Sequence, residues 1–149
     1  MTLKEKLKTL CVQRLNDKVE AFQGIVDDLS AGAQSDAKSS AGDKHETALS
    51  MMHLEQENIS SKIRESLELL EVVSKVDEAK KSEVVEFGSI VRLNSVYLFL
   101  SSALPKVDID DISILPISVD APIAKMAMGR KMGDTFTFNN NEFTIHFLE

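Results

Sequence analysis

Tryptophan is absent from this chain of 149 residues, and aromatic side chains of every kind make up only 5%. A compact globule draws on large rings to fill its core, so the scarcity favours a thin, elongated part. Cysteine is nearly absent too. Cys11 stands alone, which excludes an internal disulfide and fits a reducing cytoplasm. Proline does not occur before Pro105, so nothing of that kind interrupts a long helix in the first two thirds. Positive charge is in deficit: 17 Lys and Arg against 24 Asp and Glu leave a net charge of −7. Autonomous binding to nucleic acid is thereby disfavoured, because it draws on a basic face that displaces counterions. Long apolar runs are missing as well. Val96 to Leu100 is far too short to span a bilayer, and the amphipathic start Met1-Thr2-Leu3-Lys4-Glu5-Lys6 has no signal-peptide core. The expectation is a cytoplasmic protein with no membrane contact.

What is present divides into two halves with different periods. Leu3, Leu7, Leu10/Cys11, Leu15, Val19, Phe22, Val26 and Leu29 recur at steps of three and four, the mark of an amphipathic helix. A second stripe runs through Met52, Ile59, Ile63, Leu67, Leu70 and Val73. Between them, Ser30 to Asp43 is small, polar and weakly helical, so the chain is expected to turn there. Two stripes joined by one break predict an antiparallel helical hairpin, a short coiled coil. It spans residues 1–76, with its tip near residues 31–46 and a reach of roughly 45–50 Å.

Charged residues 77–82 read as a linker, and from residue 83 the period becomes two. Val84 to Leu93 and Ser95 to Leu100 are rich in β-branched and aromatic residues. Phe136 and Phe138, then Asn139-Asn140-Asn141, then Phe143, Ile145 and Phe147 predict a terminal β-hairpin. One helix interrupts the strands, with Asp120 as N-cap, Pro122 in the first turn, Ile123 to Met128 as body and Gly129 as stop. The fold class is α+β, with residues 83–149 as a small α+β domain.

Chemistry-bearing residues cluster at the predicted tip: Gly42-Asp43-Lys44-His45-Glu46-Thr47-Ala48. Asp-x-x-Glu ahead of an apolar stripe is also a capping box, in which Asp43 caps the second helix and Glu46 reaches back to the cap amide. Spacing leaves both readings open. Other patterns fail. His45-Glu46 opens like a zinc-protease motif, but Leu49 stands where the second His belongs. No phosphate-binding glycine loop and no Glu-x-x-His pair of a di-iron bundle occurs. Met51, Met52, Met126, Met128 and Met132 read as packing residues.

Two separated stretches carry a family resemblance. Gly42-Asp43-x-x-Glu46-x-Ala48 is similar to the tip motif Gly-Asp-x-x-Glu-Asn-Ala of the bacterial Gre transcript-cleavage factors. Ile117-Ser118-Val119-Asp120-Ala121-Pro122-Ile123-Ala124, followed by Gly129-Arg130-Lys131-Met132-Gly133-Asp134, resembles their Ile-Ser-x-x-Ser-Pro-Ile-Ala and Gly-Lys-x-x-Gly-Asp. The resemblance implies an FKBP-like second domain and a transcription elongation factor whose hairpin enters the secondary channel of RNA polymerase. It implies an accessory factor, not an enzyme, with no cofactor of its own. Asp43 and Glu46 would act as catalytic residues by sharing Mg²⁺ with the polymerase, which cuts its own backtracked transcript. The partner is then RNA polymerase, and the nascent RNA 3′ end is met only through it. The chain departs from the family at Thr47, Leu49 and Ser50, where the family has Asn, a further acid and Tyr. The alternative is a Gre-like channel regulator without cleavage activity. A prolyl isomerase is disfavoured by the shortage of aromatics, and a plain helical interaction module is the remaining reading. Residues 1–81 carry 12 Lys and Arg against 15 Asp and Glu, so no basic face for gripping RNA is evident.

Overall fold

The computed structural model describes the backbone of residues 1–39 and 43–149, and the side chains of residues 1–32 and 46–149. Two long helices, α1 (Leu3–Ser39) and α2 (Asp43–Ser74), precede a mixed six-stranded sheet and one short helix. The class is α+β. Helix α1 runs through most of the stretch in which a turn was expected. Ala31, Ala33 and Ala37 are strong helix formers and offset the weaker Ser and Gly residues around them. By contact, Met1–Val12 and Glu71–Glu149 form one compact unit and Gln13–Leu70 another.

In the helical unit, α1 and α2 lie side by side. Gln56 Nε2 donates to Val26 O at 3.3 Å and to Ser30 Oγ at 2.7 Å. Lys62 Nζ stands 6.0 Å from the centre of the Phe22 ring. Contact positions thus rise along α1 as they fall along α2. Along α2, positions 52, 56, 59, 63, 66, 70 and 73 are shielded, at alternating steps of four and three. That is a heptad seam. The expected stripe needs one correction here: Ser66 is buried and Leu67 is 47% exposed. A run at helical spacing drifts off a seam held to a 3.5-residue repeat, and the seam selects the residue one place earlier.

The strands are β1 (Ile90–Leu93), β2 (Val96–Ser101), β3 (Val107–Ile109), β4 (Ile112–Ser118), β5 (Thr135–Phe138) and β6 (Asn141–Leu148). Their order is β3-β4-β2-β1-β6-β5, with β2 and β4 parallel and the other neighbours antiparallel. Two-residue turns close three hairpins, with Asn94 and Ser95 joining β1 to β2 in the first. Asp110 and Asp111 join β3 to β4, and Asn139 and Asn140 join β5 to β6, all four at positive φ. Asp and Asn tolerate that region better than other non-glycine residues. Asn141, expected in the turn, instead pairs with Phe138 as the first residue of β6. Asn94, also at positive φ, follows β1. Its amide accepts from Thr144 N and donates to Glu142 O, both at 3.0 Å, replacing ladder bonds with β6.

Three other expectations are corrected. Residues 84–89 are loop, not strand, because Gly88 turns at φ +88° and Ser89 Oγ accepts from Glu86 N. Helix α3 (Pro122–Ala127) takes Ala121, not Asp120, as N-cap. Ser118 Oγ accepts from Asp120 N and Ser118 O from Ala121 N, so the turn before the helix is closed by Ser118. Phe147 does not share a face with Phe143 and Ile145. The register slips between Arg92 and Leu93, which pair with Phe147 and Ile145, so His146 is the extra residue of a bulge.

The sheet buries both faces. On one, Val91, Leu93, Leu98, Leu100 and Ile145 pack with Ala124 and Ala127 of α3, Val85 and Phe136. On the other, Ile90, Phe99, Val107 and Ile114 are fully buried, in the same compact unit as the buried Leu7, Cys11, Val73 and Val76 of the helix ends. Burying four such side chains is worth roughly 1.5–3 kcal/mol each before entropy is counted. Pro116 lies in β4 beyond the end of β3, so no neighbour on that side asks for its missing amide proton.

Candidate functional site

Of the two acids at the predicted tip, Glu46 is described and Asp43 is not. Glu46 lies in the first turn of α2 with its side chain exposed. A carboxylate there is favoured by the positive end of the helix by a few tenths of a kcal/mol, with or without further use. The Asp43 residue opens α2, but its side chain lies outside the described residues, as do those of Lys44 and His45. Beyond Glu46, Thr47 and Ser50 are exposed and Ala48 and Leu49 half-buried. Met51 and Leu54 are 66% and 63% exposed, apolar side chains turned outward on the early turns of α2. No group of three or more His, Cys, Asp and Glu that could hold a metal occurs among the described residues. Two carboxylates on one helical turn are too few donors for a self-sufficient Mg²⁺ site, which asks for six oxygens.

The second stretch behind the resemblance builds local structure, residue by residue. Ser118 closes the turn into α3, and Pro122 occupies its first turn, where a missing amide proton costs nothing. Gly129 and Gly133 both stand at positive φ, 80° and 89°. Asp134 Oδ2 accepts from Lys131 N at 2.8 Å and closes the loop between the two glycines. Arg130 lies over the Phe136 ring at 5.0 Å and donates to Met126 O and Thr135 O. This patch is a folding signature.

Sequence reading missed two further features. Lys18 and Lys62 flank Phe22, at 5.9 and 6.0 Å from the ring centre, beside a shallow cleft of about 280 Å³ lined also by Glu65, Ser66 and Leu69. Phe22 is the one aromatic before Phe87, and the small Ser66 leaves the room beside it. The other feature is Lys4. It is 2% exposed, and its ammonium donates to Lys80 O at 2.7 Å. Burial pushes its pKa below the ordinary lysine value, while Glu149, Glu86 and Asp77 pull it back up. Its signal was legible in principle, because three lysines within the first two turns of a helix oppose the helix dipole. No helix among the described residues is long and apolar enough to cross a membrane. A scan against models of known protein families finds no match, and neither does a search of curated proteins.

Proposed function

We propose that the chain is a Gre-like accessory factor of RNA polymerase. In this reading α1 and α2 form a hairpin that enters the secondary channel, and the sheet with α3 is an FKBP-like domain. The observation that carries it is the exposed Glu46 on the first turn of α2, in the motif Gly42-Asp43-x-x-Glu46-x-Ala48. The opposed order of contacts along α1 and α2 supports the hairpin, and the turn, loop and helix built by residues 117–134 support the second domain. Asp43 and Glu46 fit a shared Mg²⁺ in one respect: they supply hard oxygen donors and leave most of the shell to a partner. Bound between the two proteins, the ion would lower the pKa of a water and neutralise charge developing on the phosphate. Asp43 would then supply an oxygen to hold the ion, and Glu46 would orient or accept a proton from the attacking water. The net charge of −7 agrees with a factor that meets RNA only through the polymerase.

A second reading keeps the channel and drops the cleavage. Half-buried Leu49 and exposed Ser50 stand where the family has an acid and Tyr, so the tip offers fewer polar groups to the transcript. Backtracked elongation complexes separate the two. Wild type, Asp43→Asn and Glu46→Gln are compared for binding to the complex and for release of the RNA 3′ fragment. Asn still caps a helix and Gln still completes a capping box, so both variants fold. The first reading expects all three to bind and wild type alone to cut. Binding without cutting by all three favours the regulator. Failure of wild type to bind removes both.

A further inference from the structure

Helix α2 has no basic residue in its last turn, whereas α1 opens with Lys4, Lys6 and Lys8. Each arrangement is unfavourable alone, because cations suit the C-terminal end of a helix and acids the N-terminal end. The structure resolves the mismatch across the chain. Lys8 Nζ donates to Val76 O at 2.8 Å, just past the end of α2, and Lys4 Nζ to Lys80 O at 2.7 Å. Four residues separate both the donors and the acceptors, and the two run in opposite directions. Lysines one helical turn apart thereby meet a backbone segment at two points.

The segment is held from other sides as well. Lys75 N and Val76 N close the end of α2 onto Val72 O and Val73 O. Asp77 shapes the next turn, its carbonyl accepting from Lys80 N and its Oδ1 from Ala79 N. Val76 is buried at 2% exposure, and its Cγ1 lies 3.3 Å from where a Cβ on Gly88 would stand. Lys80 Nζ reaches Glu86 Oε1 at 2.8 Å.

We propose that Lys4 and Lys8 form a two-point latch that makes residues 75–82 a rigid joint of the sheet-bearing unit instead of a free tether. The device fixes the ends of both helices to one compact unit. It stands independently of any role at a polymerase.

Trypsin and hydrogen exchange test it on the full chain. Lys75, Lys80 and Lys81 place three tryptic sites inside the joint. Under limiting trypsin the wild type is expected to be cut elsewhere first. In the Lys4→Met/Lys8→Met variant these sites become early cuts, and amides of residues 75–83 exchange at least about tenfold faster while those of β1 and β2 keep their rates. First cuts of wild type at Lys75, Lys80 or Lys81 would overturn the proposal. So would a variant that exchanges in this segment as wild type does. Should the variant unfold throughout, the wild-type cleavage pattern alone decides.

Discussion

Lys80 and Glu86 are joined at 2.8 Å across the loop that leads from α2 into the sheet, and each shifts the other's titration. The hydrogen bond from Lys80 holds the Glu86 carboxyl below its ordinary value of 4.5, and the same bond raises Lys80 above 10.5. Glu86 therefore adds stability above about pH 4.5, lost as pH falls through its lowered folded value. Lys80 adds stability below 10.5, lost as pH rises through its raised folded value. Urea midpoints of wild type and Glu86→Gln should differ by a constant amount at neutral pH and converge at both extremes. Parallel curves down to strongly acid pH would show that the pair contributes nothing, as many exposed ion pairs do.

Two glycines predict opposite outcomes for the same substitution. Gly88 stands at φ +88°, and a Cβ added there would lie 3.3 Å from Val76 Cγ1, so Gly88→Ala combines a left-handed alanine with crowding at the joint. A loss of about 1–2 kcal/mol is expected, a fall in Tm of several degrees. Gly24 lies inside α1 with nothing within 4 Å of its added Cβ. Gly24→Ala should gain up to about 1 kcal/mol from helix propensity. Thermal melts of the two variants check both signs.

The β5–β6 turn gives a third test. Asn139 and Asn140 both hold positive φ, 50° and 64°. Asn140→Val places a β-branched residue in the left-handed region and should cost about 1–2 kcal/mol. Asn140→Gly should be neutral or stabilising, since Asn-Gly is the favoured pair in such turns. Because Phe136 and Phe143 stack at 5.8 Å next to this turn, near-ultraviolet circular dichroism reports local loosening beside the melt. Equal melting of the two variants would mean that pairing along the strands, not the turn, sets the hairpin.

Much of this fold was readable because its signals are local. The period of three and four in Leu3 to Leu29, the Asn-rich turn after Phe138 and the Pro122 to Gly129 boundaries each depend on neighbours in sequence. Some misreadings are local as well, such as the Ser118 turn that moves the N-cap of α3 to Ala121, but others are long-range. Nothing near His146 announces a bulge, since the slip is defined only against Arg92 and Leu93. Phe147 consequently leaves the face of Ile145 and stands 6.1 Å from Tyr97. The partner of buried Lys4, Lys80 O, lies 76 residues away in sequence, out of reach of any local pattern. At the candidate site, spacing placed Glu46 one turn into α2, where the structure has it, exposed. Spacing does not say what an exposed carboxylate meets, because that belongs to a partner.

Gln56 offers the last test, and the one closest to how the two helices find their register. It occupies a heptad position among Met52, Ile59 and Ile63, where an apolar side chain would bury more area. Its amide bonds to Val26 O and Ser30 Oγ tie one turn of α2 to one turn of α1. Gln56→Leu orphans neither acceptor, because Val26 O keeps its intrahelical partner and a serine hydroxyl turns back to the carbonyl four residues earlier. The added apolar burial should raise stability by about 1 kcal/mol. Register should suffer, since a polar residue in a seam specifies alignment at a cost in stability. Cysteine pairs engineered one heptad apart on α1 and α2, in a Cys11→Ser background, would then cross-link in shifted as well as native combinations. A variant that is less stable and still cross-links only in native register would show instead that the amide contributes net stability and no specificity.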